Sequence, residues 1–356
     1  MTFPKTLRSL SCAGAAALAT MLTFAPSASA QTETLRVGWC TSVMTNGVAP
    51  FAVAQHFGWF EEMGINLQLV NFGGSSDCVR NVVTGEVKVA VPSVEPVALL
   101  RQSGVETQVF YTVFRRNIFG LAVPEDSPVT SYADLKGAQI GVTSMASNGV
   151  LIARSVAKSA GLDPDRDINI VVSGQPAQSV VLLQRNEIQA VSQWDTNYTL
   201  MEIAGLPMRM LEDELISSFP ANSMIALPRT IENESDLLTR FGKAYTMGHI
   251  FTIDNPRRAM EIFQEVYPEV VPAGLSTEES LDRGVQMLET VVDKFTLDGE
   301  TELWGENNVE TYQRYMEWLK DAEVLTADID ASELVNNSLI EAINADLDLD
   351  AIAAAE

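Results

Sequence analysis

The sequence predicts an α/β protein built from two successive α/β units and a helical C-terminal part. Short apolar runs alternate with segments of helical periodicity from Leu35 to about residue 227, and the pattern restarts near residue 130. After Arg229 little strand signal remains. Strands separated by helices of about ten to fifteen residues are typical of βαβ units with parallel strands.

In the first unit, five short apolar runs predict strands. They are residues 35–39, 67–70, 87–91, 109–114 and 121–123. Helical patterns lie between them at residues 50–63, from Asp77 through Val83, and at 94–102. Gly64 and Gly104 follow two of these patterns, and a glycine just past a periodic run is a common helix end.

The second unit repeats this order, and a helical region follows it. Strands are predicted at 139–142, 168–172, 190–192 and 224–227, and helices at 131–135, 148–160 and 177–185. Amphipathic helices are then predicted at 241–251, 257–266, 278–295, 309–319 and 332–345.

Charge and motif content exclude several function classes. The chain has 47 Asp and Glu against 23 Lys and Arg, a formal charge of −24, which repels the phosphates of nucleic acids. Two histidines and three scattered cysteines cannot supply the usual zinc site of three or four nitrogen and sulfur ligands without carboxylates. No dinucleotide-binding, P-loop or nucleophile-elbow motif is present. We therefore expect no nucleic-acid partner, no metal, no cofactor and no enzymatic activity.

Residues 1–30 predict a secretory signal peptide. Lys5 and Arg8 precede an apolar run at residues 13–25, and residues 26–30 end in a small-x-small pattern before Gln31. The apolar run has about thirteen residues, whereas a membrane-spanning helix needs about twenty. We expect cleavage after Ala30 and an exported, soluble protein.

Cys40 and Cys78 are the two cysteines beyond the predicted signal peptide. Each lies near the end of a predicted strand or the start of a predicted helix, so the two could be neighbours at one end of a sheet. An oxidising compartment permits a disulfide. The sequence leaves two alternatives open, a disulfide or two buried thiols.

Four ordered segments carry a family resemblance. They are residues 57–67 (FGWFEEMGINL), 131–142 (SYADLKGAQIGV), 160–164 (AGLDP) and 181–195, which ends in QWD. Over residues 35 to about 230, the chain resembles the nitrate, sulfonate and taurine group of periplasmic solute-binding proteins of ABC importers. That group also covers binders of thiamine-pyrimidine precursors.

The resemblance implies a type II periplasmic-binding-protein fold. In this fold two lobes with mixed sheets, flanked by helices, are joined by two hinge crossovers, which we expect near residues 121–123 and 224–226. Lobe one would then be residues 31–121 plus 224–356, including the helical C-terminal extension, and lobe two residues 122–223. The implied protein is a periplasmic monomer that closes on a small solute and delivers it to a membrane permease.

Candidate binding residues follow from a rule that is independent of the family. Ligands of open α/β sheets lie beyond the carboxyl ends of the strands, where helix N-termini present free N–H groups. The rule selects the following residues: Trp39, Cys40, Thr41, Gly74, Ser75, Ser76 and Ser93 in lobe one, and Ser144, Met145, Ser147, Asn148, Gln175, Trp194 and Asp195 in lobe two. Helix capping and core packing are the alternative roles for these residues.

The residue types favour a ligand class without deciding it. Hydroxyl donors at helix ends suit a sulfonate or carboxylate, and Asp195 would suit an amine, so the sequence favours a taurine-like sulfonate over a polar heteroaromatic such as an aminopyrimidine. A rival function is an enzyme resembling the pyrimidine synthases of thiamine biosynthesis, which use a reactive histidine and a lysine-held cofactor. The predicted export signal, and His56 as the single histidine of the two α/β units, argue against it. A ligand-sensing subunit of a membrane receptor would share the fold and differ in its partner.

Overall fold

The computed structural model describes residues 32–211, 213–297 and 299–356. The predicted signal peptide, residues 1–30, lies outside the described residues. Residues Thr32–Glu356 form one compact unit. Within the described part of the chain, every helix is too short or too polar to span a membrane.

Two sheets of five strands organise the described residues. The strands are β1 (Glu33–Trp39), β2 (Ile65–Asn71), β3 (Val89–Ala90), β4 (Gln108–Thr112), β5 (Phe119–Pro124), β6 (Gln139–Val142), β7 (Asn169–Val172), β8 (Ala190–Trp194), β9 (Met208–Leu211) and β10 (Ser223–Ala226). The first sheet has the order β2-β1-β3-β10-β4, and the second has the order β7-β6-β8-β5-β9.

Both sheets are mixed, as the sequence analysis predicts. In the first sheet β1 is parallel to β2 and β3, while β10 is antiparallel to β3 and β4. In the second sheet β6 is parallel to β7 and β8, while β5 is antiparallel to β8 and β9. Each sheet therefore has a parallel part made of βαβ units and an antiparallel part next to a connection between the sheets.

The connections between the sheets differ by a few residues from the predicted crossovers. The chain leaves the first sheet after Thr112 and enters the second at Phe119, and it returns between Leu211 and Ser223. Residues 121–123 and 224–226 are themselves paired strand residues, because both apolar runs form ladder hydrogen bonds. The lobe boundaries given above stay a prediction.

Helices flank the sheets and form the C-terminal part. They are α1 (Ala49–His56), α2 (Trp59–Glu62), α3 (Ser75–Thr84), α4 (Val94–Arg101), α5 (Gly149–Ser159), α6 (Pro176–Gln184), α7 (Asp195–Ile203), α8 (Glu214–Ser217), α9 (Pro228–Asn233), α10 (Ser235–Asp254), α11 (Pro256–Val266), α12 (Thr277–Glu289), α13 (Val292–Phe295), α14 (Val309–Asp321), α15 (Ala331–Leu334), α16 (Ile340–Asn344) and α17 (Leu349–Ala353). Short 3-10 turns lie at Asn46–Val48, Tyr132–Leu135 and Pro268–Val270.

Three predicted helices are interrupted in the structure. The pattern at 50–63 forms α1 and α2, because Gly58 adopts a φ of 75° between them, a left-handed conformation that glycine adopts without strain. The patterns at 278–295 and 332–345 are likewise each divided into two helices. Hydrophobic periodicity continues across such breaks, because the residues on both sides pack against the same core.

The C-terminal helices extend the core of the first sheet. Phe51 of α1 lies 4.6 Å from Tyr245 of α10 between ring centroids, in a buried aromatic cluster. The two helices approach so closely that a Cβ atom on Gly248 would lie 2.0 Å from the backbone oxygen of Pro50. Farther along the chain, Tyr312 of α14 shares hydrogen bonds with Thr112 and Ser223 of the first sheet.

Cys40 and Cys78 form a disulfide, with their Cα atoms 5.7 Å apart. Of the two alternatives left open by the sequence, the structure shows the disulfide. The bond joins the residue that follows β1 to α3, so it fixes a strand end against the helix that follows the next strand.

Reduction of this disulfide should lower the free energy of unfolding by about 3–4 kcal/mol, because the bond closes a long loop in the unfolded chain. The sequence separation is 38 residues. Denaturant unfolding with and without a reductant measures the difference. The double variant Cys40→Ala, Cys78→Ala is the control and should show no response to reductant; an equal response in both proteins would contradict the assignment.

We expect the protein to lose stability in acid because His249 of α10 is buried. Burial, with a further contribution from Arg115, lowers its pKa to about 3. The unfolded chain binds this proton near pH 6.5 and the folded chain does not, so stability is lost as the pH falls below 6.5. From pH 7 to pH 5 this residue should reduce the free energy of unfolding by about 2 kcal/mol.

The measurement is denaturant unfolding of the protein and of His249→Gln at both pH values. The variant retains the carboxylates and lacks this proton uptake, so its loss of stability between the two pH values should be smaller by that amount. Identical pH dependences would show that His249 does not stay neutral in the folded protein.

Candidate functional site

A cavity of about 150 Å³ lies where strand ends of the two sheets face each other. It is bounded by the last residues of β1 and β8, by the turn after β2 and by the segment between β6 and α5. A buried water needs only about 10–15 Å³ on a comparable measure, so the cavity has room for a small organic molecule. Its position agrees with the rule that ligands lie beyond the carboxyl ends of the strands.

Ten of the predicted binding residues line this cavity. They are Trp39, Cys40, Thr41, Gly74, Ser75, Ser144, Ser147, Asn148, Gln175 and Trp194. The residues come from both sheets, because the chain places strand ends and helix N-termini of each sheet at the same space. That they bind a ligand stays a prediction.

Three predicted residues near the cavity do not line it. Ser93 is fully buried, and its hydroxyl donates to Ser75 Oγ at 3.1 Å. Ser76 contributes its backbone N–H, which donates to the carbonyl oxygen of Ala146 at 3.3 Å. Met145 is 59 % exposed and lies on the outer surface of its loop. The rule that selects residues at strand ends locates these residues near the cavity, but it does not predict the direction of each side chain.

Asp195, the fourth such residue, also lies away from this cavity. It is the first residue of α7, and its carboxylate pairs with Lys294 of α13 beside a separate cavity of about 350 Å³. Burial raises the pKa of Asp195, and the Lys294 ammonium opposes that rise. The expected carboxylate opposite the hydroxyl donors is therefore absent from the cavity wall, because a lysine from the C-terminal helices holds it elsewhere.

Several lining residues are absent from the sequence prediction. Phe114, Ile118 and Asn222 lie in the two connections between the sheets, and Val291 comes from the segment between α12 and α13. Asn46 lies in the 3-10 turn before α1. The rule considers strand ends alone. A search for aromatic residues between the strands predicted at 109–114 and 121–123 would have added Phe119, which also lines the cavity.

The cavity wall carries no charged side chain among the described residues that line it. Its polar side chains carry hydroxyls, amides and the indole N–H groups of Trp39 and Trp194. Trp39 Nε1 and Asn46 Nδ2 are buried donors without a hydrogen-bond partner in the described residues, and Asn148 Oδ1 and Asn222 Oδ1 are buried acceptors in the same situation. Unpaired buried polar atoms are unfavourable, so a molecule that supplied both acceptors and donors would stabilise this wall.

Direct contacts connect the two sides of the cavity, one formed by segments that follow strands of the first sheet and the other by segments that follow strands of the second. Ser144 Oγ donates to the carbonyl oxygen of Gly73 at 2.7 Å, and the Asn148 Nδ2 amide donates to Glu95 Oε1 at 2.8 Å. A Cβ atom on Gly74 would lie 2.3 Å from the carbonyl oxygen of Ala146. The turn at residues 73–76 and the loop at 144–148 therefore meet backbone to backbone.

Glu95 is the buried carboxyl group next to the cavity. Burial raises its pKa, while hydrogen bonds from Tyr315 and Asn148 act in the opposite direction. Because the carboxyl group lies behind Asn148, it reaches the cavity through that amide and does not line the wall itself.

The family is established by comparison with known proteins. A family model described as NMT1/THI5 like matches residues 45–259. The chain belongs to the NMT1/THI5-like family. This result confirms the resemblance to periplasmic solute-binding proteins that the four sequence segments predict.

Proteins similar to this NMT1/THI5-like chain include binding proteins and an enzyme. The riboflavin-binding protein RibY of Chloroflexus aurantiacus is 22 % identical over 327 residues, which are 89 % of this chain and 90 % of RibY. The alkanesulfonate-binding protein SsuA of Xanthomonas axonopodis pv. citri, solved with MOPS, aligns with a TM-score of 0.64 at 14 % identity, covering 86 % of this chain and 98 % of SsuA. The desulfurization enzyme DSZB aligns with a TM-score of 0.55 at 14 % identity, covering 87 % and 98 %. The two structures share the fold of this family member, which confirms the predicted fold class.

Gly74→Ala should hold the two sides of the cavity apart, because its methyl group would overlap the carbonyl group of Ala146. Small-angle scattering should give a larger radius of gyration than for the unchanged protein. Gly73→Ala is the matched control, since a Cβ atom there meets only the end of the Asp77 side chain. Equal radii for all three proteins would contradict a role of Gly74 in the close approach.

Proposed function

We propose that the protein is the solute-binding component of an ABC importer, which captures a small organic solute in the cavity and delivers it to a membrane permease. The observation that carries the proposal is an uncharged cavity lined by strand ends of both sheets and by both connections. The fold and the family support it. The signal peptide predicted at residues 1–30 supports a periplasmic location, where we propose that the protein acts as a monomer.

Binding would proceed by closure of the two sides about the connecting segments. Ser75 lies on one side and Ser147 on the other, so one small solute meets its full set of contacts only when the sides approach. A ligand that binds the closed form better shifts the population toward it. Residues 113–118 and the segment between Leu211 and Ser223 would absorb the movement.

The cavity wall favours an uncharged heteroaromatic solute over a taurine-like zwitterion. Trp39, Trp194 and Phe119 supply aromatic surface, and the unpaired polar atoms include both donors and acceptors. Ring nitrogens, amines and carbonyl groups of a heteroaromatic match such a set, and the rings can stack. A zwitterion would need a carboxylate for its amine, and Asp195 is paired with Lys294. The name of RibY, a riboflavin-binding protein, agrees with this class.

An organic sulfonate is the second candidate. Its support is the position of two helix N-termini: Ser75 begins α3, and Asn148 precedes α5. Hydroxyl and backbone N–H groups at such ends stabilise a sulfonate without a cationic side chain. SsuA, which shares the fold, is an alkanesulfonate-binding protein.

A binding protein is favoured over an enzyme by the chemistry of the wall. The described lining residues offer no histidine, lysine or carboxylate to act as a general acid or base, and Cys40 is held in a disulfide. The fold alone does not decide this point, because DSZB is an enzyme.

A thermal-shift and calorimetric screen of the protein lacking residues 1–30 tests the ligand class. We expect riboflavin or 4-amino-2-methylpyrimidine to stabilise the protein, and taurine and MOPS to have smaller effects. A ligand at about 100 times its dissociation constant should add about 2.7 kcal/mol to the free energy of unfolding. Stabilisation by the sulfonates alone would favour the second candidate, and no response to any of the four compounds would count against both.

Trp194→Ala should weaken binding of a stabilising heteroaromatic about two- to tenfold, since aromatic pairs contribute about 0.5–1.5 kcal/mol beyond their buried area. Trp318→Ala is the control, because Trp318 lies on α14 outside the cavity wall. Isothermal titration calorimetry of both variants gives the two affinities. Equal affinities would remove Trp194 from the proposed site.

A further inference from the structure

Glu95 is a buried carboxyl group whose identified hydrogen-bond partners are neutral. It is the second residue of α4 and is 1 % exposed. Oε1 accepts hydrogen bonds from the Asn148 amide and the Tyr315 hydroxyl, while Oε2 has no partner in the described residues. A buried carboxyl group without a cationic partner is unfavourable for folding, which makes its position beside the cavity significant.

The hydrogen bond from Asn148 to Glu95 crosses from one sheet to the other. Glu95 follows β3 of the first sheet, whereas Asn148 follows β6 of the second and directly precedes α5. The donor–acceptor distance is 2.8 Å, and both residues are 1 % exposed. Because Asn148 also lines the cavity, this bond links the approach of the two sides to the shape of the wall.

Glu95 determines which way the Asn148 amide faces. An amide group has a donor end and an acceptor end, and a carboxylate oxygen pairs with the donor end alone. With Nδ2 held by Glu95, Oδ1 is on the other side of the amide and has no partner in the described residues. Asn222 repeats the arrangement: its Nδ2 donates to the carbonyl oxygen of Val91 at 2.9 Å, and its Oδ1 is unpaired.

Resting on the solute-binding function proposed above, we infer that Glu95 is a positioning residue that fixes the Asn148 amide, so that Oδ1 accepts a hydrogen bond from an N–H or O–H group of the solute. Without Glu95 the amide could turn over and present its NH₂ group, and the preference for a donor would be lost. A solute whose polar atoms are all acceptors would leave Oδ1 unpaired.

The orientation of the amide can be tested without any solute. In protein labelled with ¹⁵N-asparagine, the side-chain resonance of Asn148 is identified by its absence from Asn148→Leu. Glu95→Leu removes the acceptor, so this resonance should shift and exchange faster with water, and Glu95→Gln, which keeps an acceptor oxygen, should restore it. The Asn222 resonance is the internal reference, because the backbone of Val91 anchors it.

An unchanged Asn148 resonance in Glu95→Leu would overturn the inference. Glu95→Met also lacks the oxygen acceptor, has only a weakly accepting sulfur and has a more flexible side chain than leucine. It takes the place of Glu95→Leu if that variant does not fold.

A pair of matched probes tests the effect on specificity. 4-Amino-2-methylpyrimidine and 2,4-dimethylpyrimidine differ by an NH₂ group replaced with CH₃, which removes a donor and keeps the shape. Calorimetry should show that the unchanged protein and Glu95→Gln bind the amino compound about tenfold more tightly than the dimethyl compound, as one net hydrogen bond predicts. Glu95→Leu should bind the two compounds alike.

The outcomes separate the inference from the proposed function. A full preference for the amino compound in Glu95→Leu would overturn the role of Glu95. Failure of the unchanged protein to bind either pyrimidine would contradict the proposed ligand class, while the Asn148 resonance still decides whether Glu95 positions the amide.

Discussion

The close backbone approach between the turn at residues 73–76 and the loop at 144–148 is the constraint on which the site depends. Gly74 makes this approach possible, since a side chain there would overlap the carbonyl group of Ala146. The contact brings the N-termini of α3 and α5 to the same cavity, although α3 follows a strand of the first sheet and α5 follows a strand of the second. The lining residues Gly73, Gly74, Ser75, Ser144, Ser147 and Asn148 all belong to the two segments that meet there.

The interior of the site contrasts with the charge of the chain. The sequence carries a formal charge of −24, yet the described residues that line the cavity are uncharged. Two carboxyl groups near the site do not line it: Asp195 pairs with Lys294, and Glu95 lies behind Asn148. In the proposed function, recognition of the solute would therefore rest on the direction of neutral hydrogen bonds and on aromatic contact, which depend on geometry more than on ionic strength.

The C-terminal helices complete the site as well as the core. Val291 reaches the cavity. Three residues later, Lys294 donates to the carbonyl oxygen of Asn117 in the first connection and pairs with Asp195 of α7. Tyr315 of α14 donates to Glu95. The region that the sequence predicts as a helical extension thus contacts the first connection and both carboxyl groups, Asp195 and Glu95.

The sequence by itself determined the α/β fold class, the family and the region of the cavity, and the family resemblance implied the mixed sheets. Periodicity and strand ends are local properties, and ten of fourteen predicted site residues line the cavity for that reason. Tertiary structure alone decided that Cys40 and Cys78 are bonded and that Asp195 faces Lys294. It also decided that Asn222 and Val291 reach the wall and that the Asn148 amide donates to Glu95. Each of these contacts joins residues distant along the chain, and a side chain's direction there is set by what packs against it, which no local pattern encodes.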